Sequence, residues 1–209
     1  MGIPLTKNGM NAMECVSAMQ KSIRRSLERE AMEFAVELAQ TSRGFSTMVC
    51  NRLEIISHED IDCLACPEIV PFVNAACEMA KRHYNAEDLG RWAMPIGNAI
   101  RLMSRAPKNR EGDWFQAAVV LNASLNGYQP TIPDFAKDKH TFAGKRMGRG
   151  TQHFIDDGQI LVPEAPKSVY KKEAETLWLQ QDDQKTTSKS IKNLSKKKEA
   201  GGKMLWDDD

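Results

Sequence analysis

Residues 11–44 read NAMECVSAMQKSIRRSLEREAMEFAVELAQTSRG, and their spacing decides the fold class. Met13, Val16, Met19 and Ile23 recur at steps of three and four, the period of one face of an α-helix. Ser26 stands where an N-cap would start a second helix, with Arg29 and Glu30 in its first turn. Met32, Ala35, Val36 and Ala39 form that helix's apolar stripe, backed by Phe34 and Leu38, and Gly44 marks its stop.

Working outward, the same period repeats. Ser46 is expected to cap a third helix carrying Val49, Leu53 and Ile56. Pro67 opens a fourth at the first-turn position that proline tolerates, with Val70, Val73, Ala76, Cys77 and Ala80 inside. A fifth is expected from Ala86 to Ser104, with a kink or break at Pro95, which has no N–H to donate. A sixth follows the stop at Ala106-Pro107-Lys108. It turns Trp114, Ala117, Ala118, Leu121 and Leu125 inward and ends at Asn126-Gly127. No stretch alternates as a half-buried strand does. The expectation is an all-α fold, a bundle of about six helices with Ile23, Val36, Leu53, Val73, Ile100 and Leu121 in its core.

Composition agrees. Aromatic residues make up only 7% of the 209, and strands enrich aromatic and β-branched residues. The 29 Lys+Arg against 28 Asp+Glu leave a net charge of +1, so no global field steers the chain to nucleic acid or membrane. No apolar run approaches the roughly 18 residues of a spanning helix, and Met1 to Met10 lack the apolar region of a signal peptide. Five cysteines, an odd number at irregular spacing, do not read as a secreted disulfide framework. A cytoplasmic protein is expected.

The character changes after Gly127. Pro130, Pro133, Gly144, Gly148, Gly150 and Gly158 break any long periodicity. The expected organisation is an N-terminal arm at 1–10 and the helical domain at 11–127. An irregular, basic, Gly/Pro-rich extension packed on it follows at 128–166, then a short helix at 167–182. A Lys-rich tail with an acidic tip, at 183–209, is expected to be disordered, because it holds too few apolar residues to offset ordering entropy.

The most informative charge lies between Lys137 and Arg149. Lys137, Lys139, His140, Lys145, Arg146 and Arg149 face a single acid, Asp138, and the interleaved glycines let backbone N–H groups approach a ligand. Bases with exposed backbone N–H groups are what phosphate contacts use, so these six are the candidate nucleic-acid-binding residues. The plainer alternative is a solvated loop whose bases pair with Asp156, Asp157 and Glu164. Cys63-x-x-Cys66 has zinc-like spacing but lacks a second pair, so two reduced thiols in a turn are expected, with no metal and no cofactor. His58-Glu59-Asp60 suggests acid–base work only if the side chains converge. Adjacent residues do not share a helix face, so a polar helix terminus pairing with nearby arginines is expected. In the tail, Lys185 to Lys203 form a basic linker to the tip Met204 to Asp209, either a docking peptide or a solubilising end.

Four segments in order resemble the C-terminal part of the RarA family of clamp-loader-like AAA+ ATPases, whose eukaryotic relatives are the Werner-helicase-interacting ATPases. Ala18 to Arg24, AMQKSIR, is similar to the family's ALxKSIRGS. Leu53 to Ile61, LEIISHEDI, is similar to LVRIASEDIG. Ala99 to Asn109, AIRLMSRAPKN, is similar to AVIYLALAPKSN. Thr131-Ile132-Pro133 and Met147 to Thr151 are similar to PVPxHLR…LGYGKGY. The resemblance runs through about residues 12 to 160. It implies a helical, oligomerising collar, a tetramer by first expectation and a dimer by second, followed by the family's own C-terminal domain.

The departures are specific. No G-x-x-x-x-G-K-[ST] occurs, so no phosphate loop cradles a nucleotide. Arg25 replaces the glycine after SIR, Asp62 the glycine after EDI, and Asp138 to Thr141 is more basic than the family pattern. The resemblance implies a stand-alone collar without its motor: a non-enzymatic accessory of DNA replication, recombination or repair. It would oligomerise and bind DNA through the basic loop, or replication partners through the tail. The alternative is a purely protein–protein or inhibitory module, of viral or mobile-element origin, without nucleic-acid contact.

Overall fold

The computed structural model describes residues 4–200. It is all-α. No β-strand occurs among the described residues, only isolated bridges pairing Leu5 with Asn11 and Ile61 with Lys108. The chain divides after Tyr128 into two compact units.

The first unit holds six helices: α1 (Ala12–Arg24), α2 (Glu28–Thr41), α3 (Arg43–Glu59), α4 (Ile69–His83), α5 (Gly90–Arg105) and α6 (Glu111–Asn126). α1 packs on α2, α3 on α4 and α4 on α5, and α5 also touches α2. The core is formed by Met19, Ile23, Leu38, Leu53, Ile56, Val73, Trp92, Ile96, Ile100 and Met103, all fully buried. Each such side chain contributes roughly 1.5–3 kcal/mol through removal from water. Of the six expected core residues, Ile23, Leu53, Val73 and Ile100 are buried and Val36 is half-buried against the cluster.

Several boundaries differ from the sequence expectation: α4 starts at Ile69, two residues beyond Pro67, and α5 at Gly90 where Ala86 was expected. Ser26 does not cap α2. It adopts φ 63° at the end of α1, its N–H donates to the Ile23 carbonyl at 3.0 Å, and the Leu27 N–H donates to the Ser22 carbonyl at 2.9 Å. That is the double-bonded left-handed turn that closes helices, more often made by glycine. α3 is capped by Ser42, whose Oγ accepts from the Phe45 N–H at 3.2 Å, while Ser46 is buried inside the helix. Ser42 is fully extended, and this one residue separates α2 from α3, which places Gly44 in the first turn of α3. Pro95 is buried within α5, which runs through it unbroken.

The largest correction concerns α6. It was expected to turn Leu121 and its neighbours into the core, yet none of its residues is buried. Periodicity correctly ends the helix at Asn126, where Gly127 takes the left-handed conformation at φ 64°. Periodicity shows which side chains share a face. It does not show whether anything covers that face.

The second unit is irregular at first: a 3₁₀ turn at Asp134–Ala136, then α7 (Phe142–Arg146), α8 (Thr151–His153) and a π-helical turn at Phe154–Gly158. It ends in α9 (Lys171–Ala200). The sequence expectation ended this helix near Gln181 and made the following residues disordered. Instead α9 continues to Ala200, through a run of Gln, Lys, Ser and Thr. There the hydroxyls of Thr186, Thr187 and Ser190 donate to carbonyls one turn back. Lysine and glutamine have good intrinsic helix propensity, which favours the helical state of this polar run. The apolar–acidic tip at 204–209 lies outside the described residues.

Candidate functional site

Two surfaces carry the chemistry. The first is the basic loop of the second unit. A small aromatic cluster organises it: Phe154 meets the His140 ring edge-on at 5.2 Å and the Trp178 ring at 6.1 Å. Lys139 belongs to this interior. Its Nζ donates to Thr151 Oγ1 at 2.7 Å and lies 5.4 Å from the Phe154 ring centre. The Thr151 hydroxyl in turn donates to the Asp182 carboxylate, which it helps to hold below the usual carboxylate range. Thr151 is buried, so this chain of contacts ties the loop to α9.

Arg149 is also internal. Its guanidinium donates to the carbonyls of Asp134 at 2.8 Å and Lys137 at 2.9 Å, and to the Asp134 carboxylate at 2.6 Å. That pairing lowers the Asp134 carboxyl. Asp134 is thus the acid that pairs with Arg149, where the solvated-loop alternative had looked to Asp156, Asp157 and Glu164. Asp156 instead accepts from Gln152, and Asp157 lies 3.8 Å from His153.

The six candidate residues therefore divide. Lys139 and Arg149 brace the loop, and His140 packs on Phe154. Lys145 and Arg146 are exposed on α7, and Lys137 is half-buried beside them. Phe142, interleaved with these bases in the sequence, is 78% exposed with the Arg146 guanidinium 5.8 Å from its ring centre. A lone aromatic among bases has the same pattern whether it is core or surface.

The second surface is α6. A polar cluster holds its N-terminal end in place. Arg110, just before the helix, lies 3.0 Å from Glu59 and 3.7 Å from Asp60 and also pairs with Asp113. Arg24 reaches Asp60 at 2.9 Å, and Gln20 donates to both acids at 3.0 Å. Asn109 donates its N–H to the Asp60 carbonyl at 3.2 Å and accepts from the Glu111 N–H at 2.8 Å. Glu59 and Asp60 are thus paired structural carboxylates at the end of α3, and His58 has no part in the cluster. Beyond this anchor α6 leaves Trp114, Phe115, Val119, Val120, Leu121 and Leu125 between 52% and 77% exposed. Trp114, Ala118, Leu121 and Leu125 follow one another at steps of four, three and four, the seam spacing of coiled coils. Phe115 lies to one side of that seam, and Val119 and Val120 both face away from it, one on each side.

The cysteines are thiols: Cys50 and Cys77 are buried, and Cys63 Sγ donates to the Ser57 carbonyl at 3.2 Å. Among the described residues no group of three or more His, Cys, Asp or Glu is placed to hold a metal ion, and no helix is long and apolar enough to cross a membrane. No family model matches the chain, and no curated protein matches it at a significant level.

Proposed function

We propose that the chain is a non-enzymatic, self-assembling accessory module of cytoplasmic DNA replication, recombination or repair, similar to the RarA collar and C-terminal region. It assembles through α6 and presents Lys145 and Arg146, with Lys137 beside them, to DNA or to a replication partner. The carrying observation is the uncovered α6. Its large apolar side chains are each more than half exposed, where an ordinary monomer scatters such residues singly. A surface helix normally confines its apolar residues to one stripe. One that is apolar all round is normally buried on several sides. A single partner helix covers one stripe, so α6 calls for more than one neighbour. A second copy of this chain supplies an identical helix, and identical subunits close into symmetric assemblies. A tetramer is the first assignment and a dimer the second.

The alternative, a protein-interaction or inhibitory module without nucleic-acid contact, draws support from the internal pairing of Lys139 and Arg149, which removes two of the six candidate bases. Affinity purification of the full chain from its native cells separates the two readings. Co-purifying replication or recombination proteins are the expected result. Recovery of partners unrelated to DNA metabolism, together with no DNA binding by the pure protein, contradicts the proposal and leaves the alternative.

A further inference from the structure

The cleft lined by Lys137, Phe142, Ala143, Arg146 and Met147 has a volume of about 410 Å³. Its wall is a single fixed turn. Thr141 Oγ1 accepts from the Gly144 N–H and donates to the Asp138 carbonyl, each at 3.0 Å. Gly144 is buried so tightly against the 137–138 backbone that a Cβ there would overlap the Asp138 carbonyl. This packing holds α7 against the loop and leaves Phe142 facing water, 78% exposed, with Arg146 beside its ring. Among the described residues neither Lys145 nor Arg146 has a carboxylate at ion-pair distance. The site thus combines an open aromatic ring, a guanidinium 5.8 Å from its centre and, one position before Arg146 on α7, the exposed Lys145.

We propose that this cleft binds single-stranded nucleic acid, with one unpaired base stacked on Phe142 and the flanking phosphates on Lys137, Lys145 and Arg146. The proposal rests on the nucleic-acid part of the reading above and extends it from charge to base stacking. An exposed ring within a basic groove is how sequence-tolerant single-strand sites are built, because every base has a π-face to offer. A duplex keeps its base faces stacked internally and would meet only the charges. An anionic membrane also attracts cations, but insertion favours apolar side chains on a protruding tip. Here the exposed ring lies against a guanidinium, among bases.

The test uses the full-length protein at low salt, comparing a labelled short oligo-dT with a duplex of the same length. The duplex serves as the internal reference for the charge of the Lys-rich α9. Phe142→Ala is expected to weaken oligo-dT binding about 10-fold and to leave duplex binding unchanged, whereas Phe142→Trp retains both. Lys145→Ala with Arg146→Ala should weaken both ligands and flatten the salt slope for oligo-dT by about 0.7 per lost phosphate contact. If Phe142→Ala binds oligo-dT as the wild type does while the charge variants do not, base stacking is wrong and the broader DNA reading stands. If the wild type binds neither nucleic acid, both fail. Binding to phosphatidylserine vesicles alone, lost in Phe142→Ala, assigns the cleft to a membrane surface and overturns the proposal.

Discussion

The Arg110 guanidinium lies 3.0 Å from the Glu59 carboxylate, joining the segment that starts α6 to the end of α3. Asp60, fully buried next to Glu59, takes Arg24 at 2.9 Å and Gln20 at 3.0 Å. An uncovered apolar helix therefore projects from a fixed polar anchor. Removing one partner of such a cluster leaves the others desolvated without compensation. Asp60→Ala should cost about 2–3 kcal/mol of unfolding free energy, because it takes the one fully buried carboxylate of the cluster from Gln20, Arg24 and Arg110 and leaves them the partly exposed Glu59. Glu59→Ala, at a partly exposed site, should cost about 1 kcal/mol. Urea denaturation checks the order, and equal costs would contradict this account of the anchor.

Ser26 holds a left-handed backbone that favours glycine. A non-glycine residue there is strained by about 1 kcal/mol or more. Ser26→Gly should therefore stabilise the first unit by up to about 1 kcal/mol, read as a higher urea midpoint with unchanged slope.

Gly144→Ala should act in the opposite direction. The added methyl overlaps the Asp138 carbonyl, which belongs to the backbone and has no side-chain freedom to move aside. A cost of roughly 2–3 kcal/mol is expected, confined to the second unit. It should be visible as early loss of the Trp178 fluorescence signal while the first unit's unfolding is unchanged.

The Arg149 guanidinium beside Asp134 lowers that carboxyl, and the Thr151 hydroxyl does the same for Asp182. A depressed folded value means that each carboxylate stabilises the second unit above its unfolded pKa of about 3.9. The contribution is lost as pH falls through the lower folded value. The second unit should therefore loosen below about pH 4. Arg149→Ala should return Asp134 to the ordinary carboxylate range, as followed by carboxyl NMR titration.

Much of the first unit was legible in the sequence because helical spacing of large side chains fixes both period and inner face: Met19, Ile23, Leu53, Val73 and Ile100 are buried where periodicity put them. Caps were less legible. Ser26, Ser42 and Ser46 are the same residue type, and backbone angles alone separate a left-handed closing turn, a true cap and a buried interior position. In the basic loop, charge runs identify bases but not their partners. That Arg149 folds back onto Asp134 and two carbonyls depends on a turn that no local pattern announces. The apolar character of α6 was plain, whereas its lack of cover is a property of the neighbouring helices.

Sedimentation of the full chain at tens of micromolar tests the central claim most directly. The wild type is expected to form an assembly larger than a dimer. Leu121→Glu with Leu125→Glu, at positions 52% and 77% exposed in the single chain, should sediment as a monomer with the same helical signal and melting temperature. A wild-type monomer, or a variant that assembles as the wild type does, would contradict assembly through α6.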